Sequence, residues 1–249
     1  MMFEVHNLEW THDKISRFWD FISENTALNN TFFGLQAGDH VATVINRTLK
    51  FKNFRNIIDL SCGKGDVLFS CLKYLKFGQY GYGTDFSSKN IWHVNNRFKD
   101  NASFKEAHLL QNYPSPFPDG FFDLVIITEV VEHLNDQDLD LVLNESSRLL
   151  VPGGYIFITT PNNEDIDSNK VMCPDCGCVF HRWQHVRNWT LSSLQERLEQ
   201  YSFYPKLVKH IAWCTPLKRR LVLNIAVKMN LVSPSGILFI GKKQAQQLR

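Results

Sequence analysis

Two glycines and a later carboxylate have residue types and a spacing that could bind a ligand. The segment IIDLSCGKGD, residues 57–66, is typical of a strand that runs through a tight turn into a helix. Gly63 and Gly65 allow the backbone of such a turn to approach a ligand, and the following helix offers free N–H groups. Asp85 ends the next apolar run, 20 residues after Gly65. A carboxylate at that position can bind ribose hydroxyls, so the pattern predicts an adenosine-type cofactor. The alternatives are an ordinary left-handed turn and a helix cap at Asp85.

A group of acidic and basic side chains follows a nearly all-apolar segment, FDLVII. The sequence TEVVEHL places Glu129, Glu132 and His133 close together in the chain. In doubly wound sheets, ligands bind at the carboxyl ends of the strands, so we expect these side chains to face a reacting group. His133 has the intrinsic pKa range of a general base, and Glu129 could hold either the cofactor or an acceptor. The alternative is a structural role, in which His133 caps the turn.

The segment MCPDCGCVFHRWQHVRNW combines thiol and imidazole side chains at a metal-ligand spacing. Cys173, Cys176, His181 and His185 follow the pattern C-x2-C-x4-H-x3-H, which predicts a tetrahedral structural zinc site within 13 residues. A metal would order a long polar loop. Cys178 is a further thiol that could replace either histidine. Alternatively, the cysteines lie in a plain turn and the histidines serve an active site.

The elements that position these side chains can be predicted from the periodicity of apolar residues. Short apolar runs alternate with helical patterns, which predicts βαβ units and an α/β fold with a doubly wound, mostly parallel, seven-stranded sheet. The expected strands are residues 56–60, 80–85, 102–106, 123–128, 155–160, 206–213 and 236–241. The expected helices in this part are residues 67–76, 88–98, 136–150 and one that begins at Thr190.

The chain is predicted to have two parts. Residues 1–52 show helical spacing of apolar side chains after Thr11 and again after Asp39, which predicts an N-terminal helical lid. Residues 53–249 form the main domain. Within it, residues 162–189 are expected to be an irregular loop that contacts the substrate and carries the cysteines and histidines.

Composition limits the classes of protein to which the chain can belong. The 249 residues carry a net charge of +2, and 44% of them are hydrophobic. Such a chain can bury a core, and its near-neutral charge argues against coating a nucleic-acid backbone. No run approaches the roughly 18 apolar residues of a membrane span, and the first residues do not resemble a signal peptide. Six cysteines do not suggest a disulfide scaffold. We therefore expect a reduced, cytoplasmic protein.

Four ordered segments resemble the motifs of the class I S-adenosylmethionine-dependent methyltransferases. They are DLSCGKG, TDFS, PFPDGFFDLVIITEVVEHL and LLVPGGYIFITTPN. FKEA, at residues 104–107, is a looser match to the segment that lies against adenine. The resemblance runs from about residue 56 to residue 242 and implies S-adenosyl-L-methionine as the cofactor. The cofactor-binding residues that it implies are Asp59, Ser61, Cys62, Gly63, Gly65, Asp85, Phe86, Glu106, Ala107 and Thr128.

The sequence departs from this family at one position of the glycine turn. Ser61 stands where the family usually has its first glycine. A nicotinamide-binding dehydrogenase is the competing interpretation of the same fold. It would be expected to show G-x-G-x-x-G, and Leu68 stands at the third glycine position.

Finer resemblances indicate two kinds of methyl acceptor. WTHDKISRFWDF together with CPDCGCVFHRWQHVRNW resembles bacterial methyltransferases linked to surface-polysaccharide and secondary-metabolite pathways. This implies O-methylation of a small-molecule or glycan acceptor, with Glu129, His133 and His185 addressing that acceptor. A second resemblance is to the metal-dependent small-RNA 2′-O-methyltransferases. It rests on Glu129, Glu132 and His133 together with the segment from His185 to Thr190. In that family two glutamates and two histidines hold a divalent ion against the terminal ribose.

The sequence also allows predictions about the molecules that this chain contacts. The segment LKRRLVLNIAVKMNLV, residues 217–232, is basic and apolar. It predicts a helix against the core or a homodimer interface, with an anionic membrane surface as the alternative. A small-molecule or glycan acceptor is the expected partner, and nucleic acid stays open as an alternative. A further class of function is a non-catalytic subunit that keeps the cofactor fold and uses the Cys–His loop for protein contacts.

Overall fold

The computed structural model of the chain describes residues 4–29, 31–213 and 234–244. Within these residues the strands are β1 (His6–Asn7), β2 (Asn56–Leu60), β3 (Tyr80–Asp85), β4 (Phe104–Leu109), β5 (Phe122–Thr128), β6 (Leu150–Pro161), β7 (Lys170–Met172), β8 (Cys178–His181), β9 (Phe203–Ile211) and β10 (Gly236–Lys243). The helices within the same residues are α1 (His12–Glu24), α2 (Thr26–Asn29), α3 (Phe33–Thr48), α4 (Asp66–Leu72), α5 (Ser88–Phe98), α6 (Asp136–Leu149) and α7 (Leu191–Glu199).

Seven strands form one central sheet in the order β4-β3-β2-β5-β6-β10-β9. The strands from β4 to β6 in this order run parallel, and β10 lies antiparallel to both β6 and β9. The central strands β2 and β5 are almost entirely buried because both faces of the sheet are covered. The structure therefore confirms the doubly wound, mostly parallel α/β sheet that the strand-helix alternation predicted.

Two apolar clusters cover the two faces of this sheet. Val125 and Ile126, which are neighbours in β5, belong to different clusters, so the clusters lie on opposite faces. Leu143 of α6 packs in the first cluster, and Ile45 of α3 packs in the second. All four side chains are fully buried. Packing on both faces leaves the carboxyl ends of the parallel strands as the open edge, where ligands bind in such folds.

Some element boundaries differ from those predicted. α3 begins at Phe33 rather than after Asp39, whose carboxylate lies within the helix and accepts hydrogen bonds from Ser70 and Lys73. α4 ends at Leu72, four residues before the predicted end. β4 extends beyond its predicted end at residue 106, because its pairing with β3 continues to the last strand residue, Leu109.

Residues 162–189 are not irregular throughout, which corrects the sequence prediction. β7 and β8 form an antiparallel hairpin within this segment, and β1 pairs with β8 in parallel. The sequence pattern does not reveal this small sheet because its strands are short and one of them comes from the N-terminus. The small sheet connects the start of the N-terminal region to the segment that carries His181 and His185.

No helix in residues 4–29, 31–213 and 234–244 is both long and apolar enough to cross a membrane. The basic and apolar segment at residues 217–232 lies outside the described residues. The homodimer interface and the membrane contact considered for that segment therefore stay predictions, as does the cytoplasmic location.

Candidate active site

A cavity of about 950 Å³ opens at the carboxyl ends of β2, β3 and β5. This volume is in the range of cofactor and small-molecule sites. The glycine turn after β2 contributes to one side, the segment after β5 to another, and α1 lies over both. The predicted site residues that line the cavity are Ser61, Cys62, Gly63, Asp85, Phe86, Thr128, Glu129, Glu132, His133 and His185.

The turn after β2 has the left-handed backbone that two glycines suggest. Gly63 and Gly65 have φ angles of 53° and 77°. A Cβ at Gly65 would lie 2.8 Å from a ring carbon of Phe98, whereas a Cβ at Gly63 would meet nothing within 4 Å. Gly63 lines the cavity, so a side chain there would take up ligand space. Ser61 also adopts a positive φ, of 61°, so the missing first glycine does not abolish the left-handed geometry.

Asp85, at the end of β3, connects the two parts of the predicted cofactor site. One carboxylate oxygen accepts from the backbone N–H of Gly63 at 2.9 Å. The other accepts from the N–H of Ser87 at 2.9 Å and from the amide of Asn90 at 3.1 Å. Asp85 is 5% exposed, and burial raises its pKa. Three donors do not use all the lone pairs of a carboxylate, so Asp85 can still accept from a ligand hydroxyl.

Two predicted cofactor residues support the turn from outside the cavity. Asp59 is buried in β2, and burial together with the charge of Asp85 raises its pKa to about 8. The backbone N–H of Leu68 donates to Asp59 and partly offsets this effect. Gly65 packs closely against Phe98 of α5. Both residues therefore shape the turn instead of lining the cavity.

Glu106 and Ala107 are the residues that the sequence predicted to contact adenine. Both residues lie within β4 and neither lines the cavity. Glu106 is exposed and forms an ion pair with His108 at 3.0 Å, while Ala107 is buried. Because β4 is longer than predicted, its carboxyl end is displaced along the chain, and residues 110–113 line the cavity.

Glu129, Glu132 and His133 lie together at the carboxyl end of β5. Glu129 has a φ angle of 52°, a left-handed conformation that is uncommon for residues other than glycine. Burial raises the pKa of Glu129 to about 7, and burial with the charge of Glu129 raises the pKa of Glu132 well above its usual value. Burial and the nearby His185 lower the pKa of His133 to about 3. His133 is therefore uncharged at neutral pH.

Each of these three side chains has a buried atom without a hydrogen-bond partner in the described part of the chain. The atoms are Oε1 of Glu129, Oε1 of Glu132 and Nδ1 of His133. The other oxygen of Glu132 accepts from the hydroxyl of Thr160 at 2.9 Å. Buried polar atoms in folded proteins are normally paired, so three unpaired atoms beside a cavity indicate a place where a polar ligand binds.

Glu164, which was not among the predicted site residues, orients His185. Nδ1 of His185 forms a short hydrogen bond with Oε2 of Glu164. Hydrogen bonds and charges from His185 and His181 lower the pKa of Glu164, although burial alone would raise it. A charged carboxylate accepts, so Nδ1 of His185 must donate. When His185 is neutral, Nε2 therefore carries the lone pair of its ring.

His181 contacts the other oxygen of the Glu164 carboxylate. Nε2 of His181 lies 3.3 Å from Oε1 of Glu164, and the rings of His181 and His185 are stacked with centroids 4.5 Å apart. Nδ1 of His181 accepts backbone N–H groups from Trp183 and His185 at 3.3 and 3.1 Å. Its proton therefore lies on Nε2 and faces Glu164. The side chain of His181 is 1% exposed and does not line the cavity.

Helix α1 covers the cavity and contacts both of its sides. The indole N–H of Trp19 donates to Oε1 of Gln184 at 2.9 Å, and the Trp19 ring packs edge-on against His133 with centroids 5.0 Å apart. Nζ of Lys64, in the glycine turn, donates to the carbonyl of Ser23 at 2.5 Å. These contacts place α1 where the predicted lid would lie, although the role of residues 1–52 as a lid stays a prediction.

The structure does not bring the four residues of the predicted zinc site together. Cys173 and Cys176 lie with Cys178 on the hairpin, whereas His181 and His185 lie with Glu164. Within the described residues, no group of potential ligand atoms joins these cysteines to these histidines. The physical reason is that both imidazoles are already engaged by the Glu164 carboxylate.

Gln184 is a further site residue that carries no motif signal. It is fully buried, has a φ angle of 62°, and its amide donates to the carbonyl of His133 at 2.9 Å. The same amide group accepts from Trp19, so Gln184 connects α1 to the end of β5. The signal available in the sequence was a polar residue between two histidines in HRWQH. For Glu164, it was an acid in NNED after the fifth predicted strand.

Comparisons with known proteins match most of the chain to one family. A family profile described as a methyltransferase domain matches residues 34–206. A ubiquinone biosynthesis O-methyltransferase from Pelagibacter ubique is 32% identical over 116 residues, which cover 45% of this chain and 43% of that protein. A tRNA N(3)-cytidine methyltransferase from Gallus gallus is 32% identical over 115 residues, covering 44% of this chain and 31% of that protein. The chain thus spans less than half the length of these curated relatives.

A solved structure shows a similar fold over almost the whole chain. It is the 1,6-didemethyltoxoflavin-N1-methyltransferase of Burkholderia thailandensis, with 1,6-didemethyltoxoflavin and S-adenosylhomocysteine bound. The TM-score is 0.64 at 14% sequence identity, and the match covers 97% of this chain and 93% of that chain. At this identity the similarity concerns the fold alone.

Proposed function

We propose that this chain, which belongs to the class I S-adenosylmethionine-dependent methyltransferases, methylates an oxygen atom of a small-molecule or carbohydrate-like acceptor. The names of the two curated relatives assign oxygen to one and the N3 atom of cytidine to the other. Relatives therefore do not decide the acceptor.

The glycine turn and Asp85 are suited to hold the nucleoside half of the cofactor. When bound, S-adenosylmethionine supplies a methyl group that its sulfonium makes electrophilic. Gly63 exposes backbone to the cavity without a side chain, and the Asp85 carboxylate keeps acceptor capacity beside it. Phe86 and residues 110–113 line the cavity together with Gly63 and Asp85 and could enclose a purine. Together these features fit an adenosine-containing ligand.

The observation that carries the proposal is the orientation of His185 by Glu164. Nδ1 of His185 is engaged by the carboxylate, so Nε2 is the nitrogen that can accept a proton from a ligand in the cavity. A hydroxyl acceptor must lose its proton when it attacks a methyl group, and a positioned imidazole assists such a transfer. The Glu164 carboxylate would stabilise the imidazolium that forms. Methylation of an oxygen atom would therefore use His185 as the proton acceptor and Glu164 as the group that stabilises the imidazolium.

His133 and Glu129 are suited to position the acceptor. The pKa of His133 is lowered to about 3, so its ring is a poor proton acceptor at neutral pH but a good hydrogen-bond partner. Nδ1 of His133 and Oε1 of Glu129 are buried and unpaired within the described residues. Polar groups of a bound acceptor would satisfy both atoms, which fits a polyhydroxylated molecule.

The test uses methyl-labelled S-adenosylmethionine and fractionated cell extracts that contain small molecules and glycans. We expect labelled product in a small-molecule or glycan fraction, with the methyl group on oxygen when the product is analysed by NMR and mass spectrometry. The variant His185→Asn should lower the rate by roughly a hundredfold or more, as expected for loss of a general base. The control His108→Asn, outside the cavity, should leave the rate unchanged.

Two results would contradict this function. One is a labelled methyl group on nitrogen or carbon in every product. The other is a His185→Asn variant with the rate of the wild-type protein, because the pair with Glu164 would then play no part in proton removal.

A second candidate function is metal-dependent 2′-O-methylation of RNA ribose. The observation that favours it is that Glu132, His133 and His185 bring potential ligand atoms within 4.8 Å of one another. One oxygen of Glu132 and one of Glu129 are also buried and unpaired in the described part of the chain. Carboxylate and imidazole groups of this kind fit a divalent cation, which would hold and polarise a ribose hydroxyl.

Chelation separates the two candidates. If RNA ribose is the acceptor, EDTA should abolish methylation of a short RNA and Mg²⁺ or Mn²⁺ should restore it, while S-adenosylhomocysteine binding persists. Methylation of a small molecule or glycan that is indifferent to EDTA would instead support the first candidate.

A further inference from the structure

Three thiols cluster on the hairpin formed by β7 and β8, outside the cavity. The sulfur atoms of Cys173, Cys176 and Cys178 lie within 4.8 Å of one another, and none of these cysteines is in a disulfide. Thiolates around a tetrahedral Zn²⁺ lie roughly 3.8 Å apart, given Zn–S distances of about 2.3 Å. The three sulfur atoms are therefore already close to the separation that such a cation requires. The proposed methyl transfer makes no use of them.

The backbone of the hairpin turn brings the thiols together. The N–H of Gly177 donates to the carbonyl of Cys173 at 2.9 Å, and the N–H of Cys173 donates to the carbonyl of Cys178 at 2.9 Å. Gly177 has a φ angle of 79°, which favours glycine at this position. The backbone N–H of Cys178 also donates to the sulfur of Cys176. The proximity of the thiols is thus a property of the turn and does not depend on side-chain rotamers alone.

Strand β1 supplies a fourth potential ligand. His6 is the register partner of Cys178 in the parallel pairing of β1 with β8, and its N–H donates to the carbonyl of Gly177 at 3.2 Å. Register partners in adjacent strands project to the same face of a sheet, so the His6 ring lies on the side of the Cys178 sulfur. His6 is exposed, and its ring would leave a 3.4 Å contact between Nδ1 and the carbonyl of Glu4 when it turns toward the thiols.

We propose that Cys173, Cys176 and Cys178 bind one Zn²⁺ as thiolates and that His6 completes a tetrahedral site. Each thiol releases its proton to solvent when its bond to the metal forms, and no electron is transferred. This site keeps two cysteines of the set that the sequence suggested and neither of its histidines. It would fasten the N-terminal strand to the segment that presents His181 and His185.

Metal content and cobalt spectroscopy of the full chain test the site. The wild-type protein should contain about one zinc per chain by mass spectrometry. After removal of zinc with a chelator under reducing conditions, Co²⁺ should give thiolate charge-transfer absorption and the ligand-field bands of a tetrahedral ion. A protein that binds less than a stoichiometric amount of either metal would overturn the proposal.

Variants identify the ligands. Cys176→Ser and Cys178→Ser should each weaken zinc binding at least roughly tenfold, because each removes a thiolate. Asp175→Asn, in the same turn, is the matched control and should bind zinc like the wild type. His185→Asn should also keep its zinc. Loss of zinc in His185→Asn, with full binding in Cys178→Ser, would instead support the four-ligand set suggested by the sequence and overturn this one.

His6 and the wild-type thiols provide two further readouts. His6→Ala should weaken zinc binding and change the cobalt ligand-field bands, and an unchanged spectrum would overturn the assignment of His6. In the wild-type protein, alkylation of the three thiols should be slow with zinc bound and fast after chelation. Equal alkylation rates would contradict the site even if a cysteine variant failed to fold. None of these readouts depends on methyl transfer, so they stand apart from the proposed function.

Discussion

A carboxylate that accepts from one nitrogen of an imidazole determines which nitrogen keeps the lone pair. Glu164 has this relation to His185, and the backbone N–H groups that bind Nδ1 of His181 direct the other nitrogen of His181 toward Glu164. Glu164 therefore lies between the two imidazoles, hydrogen-bonded to His185 and 3.3 Å from Nε2 of His181. Only Nε2 of His185 is left to act on a molecule in the cavity.

Replacement of Glu164 by Gln tests this chain of contacts. Glutamine keeps an oxygen that can accept from His185 but lacks the charge that stabilises an imidazolium. We expect kcat to fall at least roughly tenfold, with little change in the affinity for S-adenosylhomocysteine. Steady-state kinetics and calorimetry measure the two quantities.

Glu196→Gln is the matched control for this substitution. Glu196 is exposed on α7, so its replacement should change neither kcat nor affinity. If Glu164→Gln had the same kcat as Glu196→Gln, the charge of Glu164 would have no part in the reaction.

Asp59 predicts a dependence of stability on pH. Its pKa is raised from the ordinary value of 3.8 to about 8, so the folded chain binds this proton more tightly than the unfolded chain. The resulting stabilisation is complete below about pH 4 and is lost as the pH rises through about 8. Asp59→Asn lacks this titration. The free energy of unfolding of the wild type, relative to that of the variant, should fall by at least about 1 kcal/mol between roughly pH 5.5 and 8.5.

Urea unfolding at several pH values measures this difference. The exposed Asp100 offers a control, because the wild type and Asp100→Asn should differ by an amount that does not depend on pH. A constant difference between the wild type and Asp59→Asn would mean that Asp59 is ionised in the folded chain over this whole range.

At the scale of elements, α1 lies over the cavity, which residues 31–34 of the N-terminal region also line. Its contacts reach the segment after β5 through Trp19, the glycine turn through Ser23, and the start of α5 through Asp20, which accepts from the hydroxyl of Ser87 at 2.7 Å. Opening of α1 would break all of these contacts together. A ligand in the cavity should therefore exchange at a rate that α1 controls.

Trp19→Ala should speed the release of S-adenosylhomocysteine several-fold, because it removes both the ring contact with His133 and the hydrogen bond to Gln184. Stopped-flow displacement measures the dissociation rate. Trp92→Ala is the control, since Trp92 is 70% exposed on α5. Equal dissociation rates in the wild type and Trp19→Ala would show that α1 does not gate the cavity.

The elements that the sequence predicted well are those whose patterns are local. The apolar runs of β2 and β5 and the glycines between β2 and α4 define the central sheet and its turn without reference to distant residues. The end of β4 is set instead by its pairing with β3, in which Leu109 is the partner of Asp85. Glu106 and Ala107 therefore lie within β4 and not after its end.

The same distinction between local patterns and long-range contacts applies to the site residues. Glu129 and His133 could be predicted because they directly follow an apolar strand. Glu164 reaches His185 only when residues 162–189 fold, and β1, which is far from this segment in the sequence, pairs with it in the fold. The cysteines and histidines share a short segment, but the hairpin and Glu164 separate them into two groups. The spacing of these residues in the sequence does not show which of them lie together in the fold.

In the whole molecule, separate parts of the chain converge at one place. The glycine turn, the ends of β3 and β5, the His185 segment and α1 all line the same cavity. The cofactor side of this cavity comes from the matched methyltransferase domain, residues 34–206, while α1 comes from outside it. Glu129, His133 and His185, which we propose contact the acceptor, also lie within the matched residues.

The most direct measurement is calorimetric titration of the intact chain with S-adenosylhomocysteine, in the wild type, Asp85→Asn and the exposed control Asp100→Asn. We predict one saturable site in the wild type and in Asp100→Asn. In Asp85→Asn the affinity should be weaker by about ten- to a hundredfold, as for loss of a hydrogen bond to a charged group. No binding by the folded wild type, or equal affinities in all three proteins, would contradict the assignment of the cavity to a methyl donor.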